Sequence, residues 1–491
     1  MPFNCYITAK KLQNSIPDDT KNIDEAQIPL RRVLGLFTAI LLVAGNMIGT
    51  GVFKKIVPMA ATGLNEKYIL FAWIAAGCIT IFGAFSIAGL AKLTTASGGG
   101  YEYLRICYGN FIAYLFGWTI FVIVGSGSIG AVGFIFSQSV NSLIAIPDPL
   151  HQWSDIAIAH SIYPFAYSGV KIFTILTIVI LTWTNYRGVR KSTIMNNIIT
   201  SAKILGILFL ILGGLVSISP SFQQSPVNTQ IQNMQGVSFI SLFFGAMLSA
   251  FWAYDGFVNA AAVTGEIKNP KRNLPIAIIT GVGIVMVLYV LVNYSFMKLV
   301  PLNQLAALGE NKIAAAEIAR IILGSKGSMF ISLLIMLSTF GTLNVLILVY
   351  SRLYYRMAQE NVFFKSAAKV HPVYRTPHYA LLYSMIWSCI LVISGTYDVL
   401  TNISVFNAFA FYTLLAFGLI KAKRKKILTG KIPGYPAAPI LFILLTLVFL
   451  LNTLITNPQQ SATGIGLTMI GIPFYYFFRN RNSKTKPLEL K

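Results

Sequence analysis

Across 491 residues only 11% are charged, against 55% hydrophobic, and the mean hydropathy is +0.69. Soluble domains run nearer a quarter charged, and the apolar residues here come in blocks of about 20, the length an α-helix needs to cross the hydrocarbon core. A string of soluble domains is excluded, a polytopic membrane protein is implied, and the net charge of +23 has to be read with that in mind.

Residues 1–33 are polar, carry charges of both signs and lack an apolar core, so they read as a cytosolic tail rather than a cleavable signal peptide. Apolar windows then predict twelve spans, at 34–57, 69–90, 111–144, 171–185, 193–218, 237–265, 274–300, 327–358, 379–396, 399–420, 436–456 and 462–478. A basic tail, 479–491, follows. Spans one to five (34–218) cover about the same length as spans six to ten (237–421), and an odd count of five inverts the second set. Spans eleven and twelve (436–478) stand outside that repeat. Each set opens with an interrupted segment, "AGNMIGTGVF" in the first and "FWAYDGFVNA" in the sixth. Paired interruptions point to a transporter with its site at the repeat interface.

Alternate loops assigned to the cytosol from the N-terminus hold 29 of the 38 Lys and Arg. The opposite side takes eight, Lys54, Lys55 and Lys171 among them, and Lys203 lies inside a span. That asymmetry follows the positive-inside rule, so both termini are expected in the cytosol. The cluster "KAKRKK" (421–426) suits anionic headgroups of the lipid surface, and nucleic acid is not needed as a partner. Cys5, Cys78, Cys107 and Cys389 are scattered without CxxC or zinc spacing, and His371 and His378 sit in a basic loop. No disulfide framework, metal or cofactor is expected. The spans hold no HExxH, no paired aspartates and no Ser with His, which argues against a membrane-embedded enzyme.

"GNMIGTG" (45–51) carries three glycines in seven residues. Gly45 and Gly49, spaced as GxxxG, could merely let a neighbouring helix approach. Gly51 and the polar Asn46 and Thr50 go beyond that. Each glycine costs about 0.8–1.0 kcal/mol relative to alanine, enough together to unwind the helix. Unwound backbone is tolerated at membrane depth only where protein or a wet cavity satisfies it. Free N–H groups at a half-helix start carry the positive end of the helix dipole. A carboxylate is therefore the natural ligand for Gly45, Asn46, Met47, Ile48, Gly49, Thr50 and Gly51.

The partner stretch is "SAFWAYDGFVNAAAVTGEIKNPKRNLPIAI" (249–278). Gly256 after Asp255 marks its break, and unwound carbonyls around Ala253 and Tyr254 would suit an ammonium group. Trp252, Tyr254 and Phe257 could wall or gate an occupied site, although most membrane aromatics simply pack. An ionised Asp255 near the bilayer centre costs about 2.5–3.5 kcal/mol, so it should face protein or water. Capping a helix, carrying a proton and facing the ligand are all open to it. Lys203 lies about ten residues inside its span, roughly 15 Å from the cytosolic start at 1.5 Å per residue. Its stem could snorkel, or its charge could serve transport.

"GNMIGTGVF" followed by "EIKNPKRNLPIAI" resembles the amino acid–polyamine–organocation superfamily. "LSTFGTLNVLILVYSRLYYRMAQENVFF" (337–364) and "TPHYAL" (376–381) are similar to the L-type amino acid transporter family and its bacterial serine/threonine exchangers. The resemblance runs from Arg31 to about Phe478. It implies an all-α polytopic membrane protein of 12 transmembrane helices, with a 5+5 inverted-repeat (LeuT-like) core, broken helices 1 and 6, and alternating access. It implies that backbone from Asn46 to Gly51 takes the substrate α-carboxylate, that backbone from Trp252 to Gly256 takes the α-amino group, and that Trp252 gates the site. The family often has glycine where this chain has Asp255. A family lysine at the place of Lys203 stands where sodium binds in sodium-driven relatives and bridges helix 1 to helix 8; Ser338 and Thr339 are the partners matched there. A built-in cation makes sodium unnecessary, and its proton could couple to transport.

Eukaryotic L-type carriers join a glycoprotein through a cysteine between helices 3 and 4. The loop 146–170 has none, so no disulfide-linked heavy subunit is expected. The expectation is a sodium-independent amino acid exchanger or proton-coupled permease of a cell membrane, a bacterial inner membrane by the resemblance. A polyamine or cationic amino acid antiporter, with Asp255 as counter-charge, is the alternative. An amino acid sensor that moves no ligand is the alternative of another class.

Overall fold

The computed structural model describes residues 34–94, 99–156, 158, 163–188, 193–217, 238–259, 267–309 and 312–483. The expected tail 1–33, residues 260–265 of the sixth window and the end of the basic tail from 484 lie outside these. In lipid every peptide group must be satisfied within the chain, and long apolar blocks satisfy theirs as helices. In chain order these are α1 (Leu36–Met47), α2 (Gly51–Lys54), α3 (Ile56–Ala60), α4 (Glu66–Leu90), α5 (Gly99–Tyr108), α6 (Asn110–Asn141), α7 (Ser168–Tyr186), α8 (Thr193–Val216), α9 (Phe239–Tyr254), α10 (Pro270–Leu299), α11 (Leu302–Ala306), α12 (Ala314–Gln359), α13 (His378–Ser394), α14 (Tyr397–Arg424), α15 (Ala437–Thr456) and α16 (Pro458–Ser483).

Among the described residues eight helices are long and apolar enough to cross a membrane, and four shorter apolar helices accompany them. Each of the twelve sequence windows holds one of these segments. The chain is a multi-pass membrane protein. Two windows differ in detail. The third contains a π-helical stretch, Ile120–Val124, inside α6. The eighth belongs to a helix that begins earlier, at Ala314, and kinks at Leu323 and Gly324, where Gly324 takes φ 64°. The helices α5 and α11 lie in connections that hydropathy alone leaves unassigned.

Packing centres the two interrupted segments. The α1 helix lies against α10 and α8, α9 lies against α4 and α14, and α6 lies against α12 and α14. Before α1, Leu34 forms a parallel bridge with Ile267 and accepts a 2.8 Å hydrogen bond from the Lys268 N–H, tying the start of α1 to the approach to α10.

Lys54, Lys55 and Lys171, which the loop count sets on the outer side, are buried. Their charges stay inside because acceptors are provided. Lys171 Nζ donates to the carbonyls of Tyr163 (2.7 Å) and Ile393 (3.0 Å).

Candidate functional site

The α1 helix stops at Met47. Ile48 leaves helical geometry (φ −71°, ψ 83°), its N–H still reaching the Ala44 carbonyl at 2.7 Å, and the Gly49 N–H turns back on the Met47 carbonyl at 2.7 Å. Helix resumes at Gly51 as α2. On the other segment α9 stops at Tyr254, Asp255 is extended (φ −65°, ψ 156°), and Gly256 takes φ +111°.

The two breaks touch. A Cβ at Gly51 would stand 2.5 Å from Ala253 Cα, and one at Gly256 would stand 2.7 Å from the Asn46 carbonyl oxygen. Gly51 is thus needed for a close backbone approach, and Gly256 for both approach and left-handed geometry. Gly45 serves packing against α8, where its Cβ would meet Thr200 Oγ1 at 2.4 Å. Gly49 differs: its Cβ position meets the Met47 carbonyl oxygen at 3.8 Å, ordinary van der Waals contact, so a methyl there has room.

One side chain ties both breaks. The Tyr289 hydroxyl, from α10, lies 2.8 Å from the Met47 carbonyl and 3.1 Å from the Ala253 carbonyl. It is buried, as is Tyr254, which packs on Trp73 and Tyr289 and donates to the Trp73 carbonyl at 3.1 Å. Tyr254 therefore points into the α4 interface, away from the break. Trp252 turns the other way: its Nε1 donates to Thr50 Oγ1 at 3.1 Å, and its ring meets Tyr397 edge to face. Asp255 accepts a 2.8 Å hydrogen bond from the Tyr412 hydroxyl, and Phe257 packs edge-on against that same ring. Among the described residues Asp255 makes no ion pair.

Lys203, on α8, is buried and donates to Thr342 Oγ1 at 3.0 Å, with the Gly45 carbonyl at 3.4 Å. It thereby links α1 to α12. The partner on α12 is Thr342 rather than Ser338 or Thr339. Thr339 Oγ1 returns to the Ile335 carbonyl of its own helix, and Ser338 Oγ is buried without a hydrogen bond among the described residues.

Beside the break lies a charged cluster that the sequence reading missed. Lys54 Nζ donates to Gln138 of α6 at 2.7 Å. Lys55 Nζ pairs with Asp398 at 2.5 Å and donates to Thr401 at 2.6 Å, both on α14. The two ammonium groups lie 4.7 and 4.8 Å from the Tyr397 ring centre. The adjacent "KK" directly after an apolar run was a visible signal, and burial of both was not. Tyr289, Tyr397 and Tyr412 carried no signal that sets them apart from packing aromatics.

Two helices that end against one another inside a multi-pass bundle, with peptide groups at the junction, define a membrane transporter with discontinuous helices. Residues 34–478 match the amino acid permease family, and the chain belongs to it, within the amino acid–polyamine–organocation superfamily. It is 31% identical over 461 residues to the serine/threonine exchanger SteT of Bacillus subtilis (strain 168), covering 92% of this chain and 98% of that one. It is 29% identical over 462 residues to the mouse b(0,+)-type amino acid transporter 1, covering 91% of this chain and 88% of the relative. Against the human large neutral amino acids transporter small subunit 2 the identity is 26%, over 91% of this chain and 81% of the relative. These relatives are transporters, not enzymes.

Proposed function

We propose that the chain is a secondary active amino acid carrier of exchanger type that works by alternating access without sodium. The observation that carries this is the contact of the two breaks, Gly51 on Ala253 and Gly256 on Asn46, in a chain matched over nearly its whole length by a permease family. In this reading the backbone of Gly45 to Gly51, with Asn46, Met47, Ile48, Gly49 and Thr50, holds the substrate carboxylate. The backbone from Trp252 through Ala253, Tyr254 and Asp255 to Gly256 holds its ammonium group, with Trp252 as the gate and Phe257 as a wall. The loose surroundings of Gly49, whose Cβ position meets one atom within 4 Å, support it. Lys203 supplies a fixed cation between α1 and α12, where a sodium ion would otherwise be needed, with Ser338 and Thr339 in the helix it faces.

The helices of 34–218 and 237–421 form the two inverted halves, 436–478 adds two outer helices, and both termini lie in the cytosol of a cell membrane. The serine/threonine exchanger among the relatives favours a small neutral amino acid as substrate. A cationic amino acid or polyamine is the second reading, favoured by Asp255, whose carboxylate has no cation among the described residues.

Counterflow into proteoliposomes preloaded with unlabelled substrate tests this, with alanine, serine, leucine, arginine and putrescine as competitors and with pH and sodium varied. Exchange of a neutral amino acid, indifferent to sodium, is expected. Binding of amino acid without counterflow would make the protein a sensor instead.

A further inference from the structure

Thr50 is 2% exposed and stands where α2, α9 and α14 meet. Although it is the residue that caps α2, its side chain makes no capping bond. Its Oγ1 instead lies 3.1 Å from Trp252 Nε1 and 3.2 Å from the Tyr397 hydroxyl, both of which donate to it. A hydroxyl has two lone pairs and one proton, and an indole N–H can only donate. Both lone pairs of Thr50 are therefore taken, and among the described residues nothing accepts its proton.

We infer that Tyr397 is a positioning residue: by filling the second lone pair of Thr50 it leaves that hydroxyl able only to donate, so the site selects substrates with a free carboxylate over carboxamides and over amines that lack the group. This rests on the reading of Asn46 to Gly51 as the carboxylate site. A hydroxyl with a vacant lone pair can turn to accept from an amide N–H, and it then discriminates poorly. A hydroxyl locked as a donor cannot: a carboxamide must turn its carbonyl oxygen to Thr50, which sets its NH2 group, a donor, against the backbone N–H groups of the proposed carboxylate site, where a carboxylate would place its second oxygen.

Tyr397 is itself held for this task. Two ammonium groups flank its ring, Lys55 anchored by Asp398 and Thr401 of α14 and Lys54 by Gln138 of α6. Cations over an aromatic ring stabilise its placement, and the edge of Trp252 closes another side. Tyr397→Phe keeps the ring in place and removes the hydroxyl that donates to Thr50.

The experiment is counterflow of labelled alanine by the full chain in proteoliposomes, inhibited from outside by alanine and by alaninamide. The wild type should favour alanine by about tenfold or more. Tyr397→Phe should narrow that ratio about fivefold, the worth of one hydrogen bond, with the maximal rate changed less than about twofold. Thr50→Val should narrow it likewise, Thr50→Ser should keep it, and adding Tyr397→Phe to Thr50→Val should change nothing more, since both act through one oxygen.

An unchanged ratio in Tyr397→Phe, or additive effects of the two changes, overturns the inference. Should Tyr397→Phe fail to purify, Trp252→Phe frees the other lone pair, and an unmoved ratio there overturns it equally. Wild-type protein that exchanges none of alanine, serine and leucine would remove the functional reading beneath it, whereas brisk exchange with an immovable ratio removes this inference alone.

Discussion

A single methyl at Gly51 should disable the protein, and the same methyl two residues earlier should not. In Gly51→Ala the new Cβ would lie 2.5 Å from Ala253 Cα, 2.6 Å from its Cβ and 3.0 Å from its nitrogen. Carbon atoms rest about 3.5–4.0 Å apart, so α2 must retreat from α9 by about 1 Å, and the obstacle is main chain that no rotamer can move. Overpacking of this kind costs about 1–3 kcal/mol. The retreat would also carry Thr50 away from Trp252, stretching a 3.1 Å hydrogen bond beyond useful length. Gly49→Ala meets nothing nearer than 3.8 Å, so it should fold and melt as the wild type does. Gly49→Leu should then obstruct the proposed carboxylate site, inserting normally but abolishing substrate binding. Thermal melts of the purified proteins in detergent, beside counterflow in liposomes, read both consequences. A Gly51→Ala protein with unaltered melting and an unaltered KM would show that the two breaks do not meet, and the proposed site would go with them.

Lys203→Ala should slow exchange or alter its pH dependence, and Thr342→Val should reproduce part of that loss. Ser338→Ala should leave the rate alone, because its hydroxyl bonds to nothing described; initial rates across pH separate the three. Tyr289→Phe leaves the Met47 and Ala253 carbonyls without their shared donor, a buried loss worth about 1–3 kcal/mol, and should lower the melting temperature. Asp398→Asn strands the Lys55 ammonium inside the protein, at about 3–5 kcal/mol for a broken buried pair. Adding Lys55→Met should restore folding, and a double variant no more stable than Asp398→Asn alone would refute the pairing.

Both breaks were legible because each sets residues that favour unwinding inside a segment apolar enough to require a helix. Glycines at 45, 49 and 51, and Asp255 before Gly256, create that conflict within a few residues, and a local conflict can be read locally. The division of labour among the glycines was not legible. Gly45 and Gly51 are fixed by neighbours on α8 and α9, and Gly49 by the lack of one. The lysines after Phe53 failed for the same reason: a count of loop charges sets the pair on the outer side, whereas partners far along the chain, Gln138, Asp398 and Thr401 among them, make burial tolerable. The resemblance matched Lys203 to Ser338 and Thr339, whereas the hydrogen bond of its ammonium to α12 goes to Thr342. Residues four apart share a helix face, so Thr342 stands one turn from Ser338, and only the geometry settles which one meets the ammonium.

Contacts between the breaks bear on how such a carrier could move. Gly51 against Ala253, Gly256 against Asn46 and Tyr289 on both carbonyl ends cannot part without exposing peptide groups at membrane depth. On the proposed reading the two interrupted helices must therefore travel as one body. Besides the bonds of Tyr397 to Thr50 and Tyr412 to Asp255, bonds of another kind hold this body to α6, α12 and α14: Lys54 to Gln138, Lys55 to Asp398, and, through α8, Lys203 to Thr342. Polar tips on long stems can release and re-form at a shifted register, which methyl packing cannot do without leaving a void. Movement should therefore occur across those bonds. With Cys5, Cys78, Cys107 and Cys389 replaced by serine or alanine, Lys54→Cys and Gln138→Cys joined by a short thiol-cleavable bifunctional reagent should arrest counterflow, and reductant should restore it. Full exchange by a protein shown to be cross-linked would mean that α2 and α6 keep their distance throughout the cycle, and the moving boundary would have to be sought elsewhere.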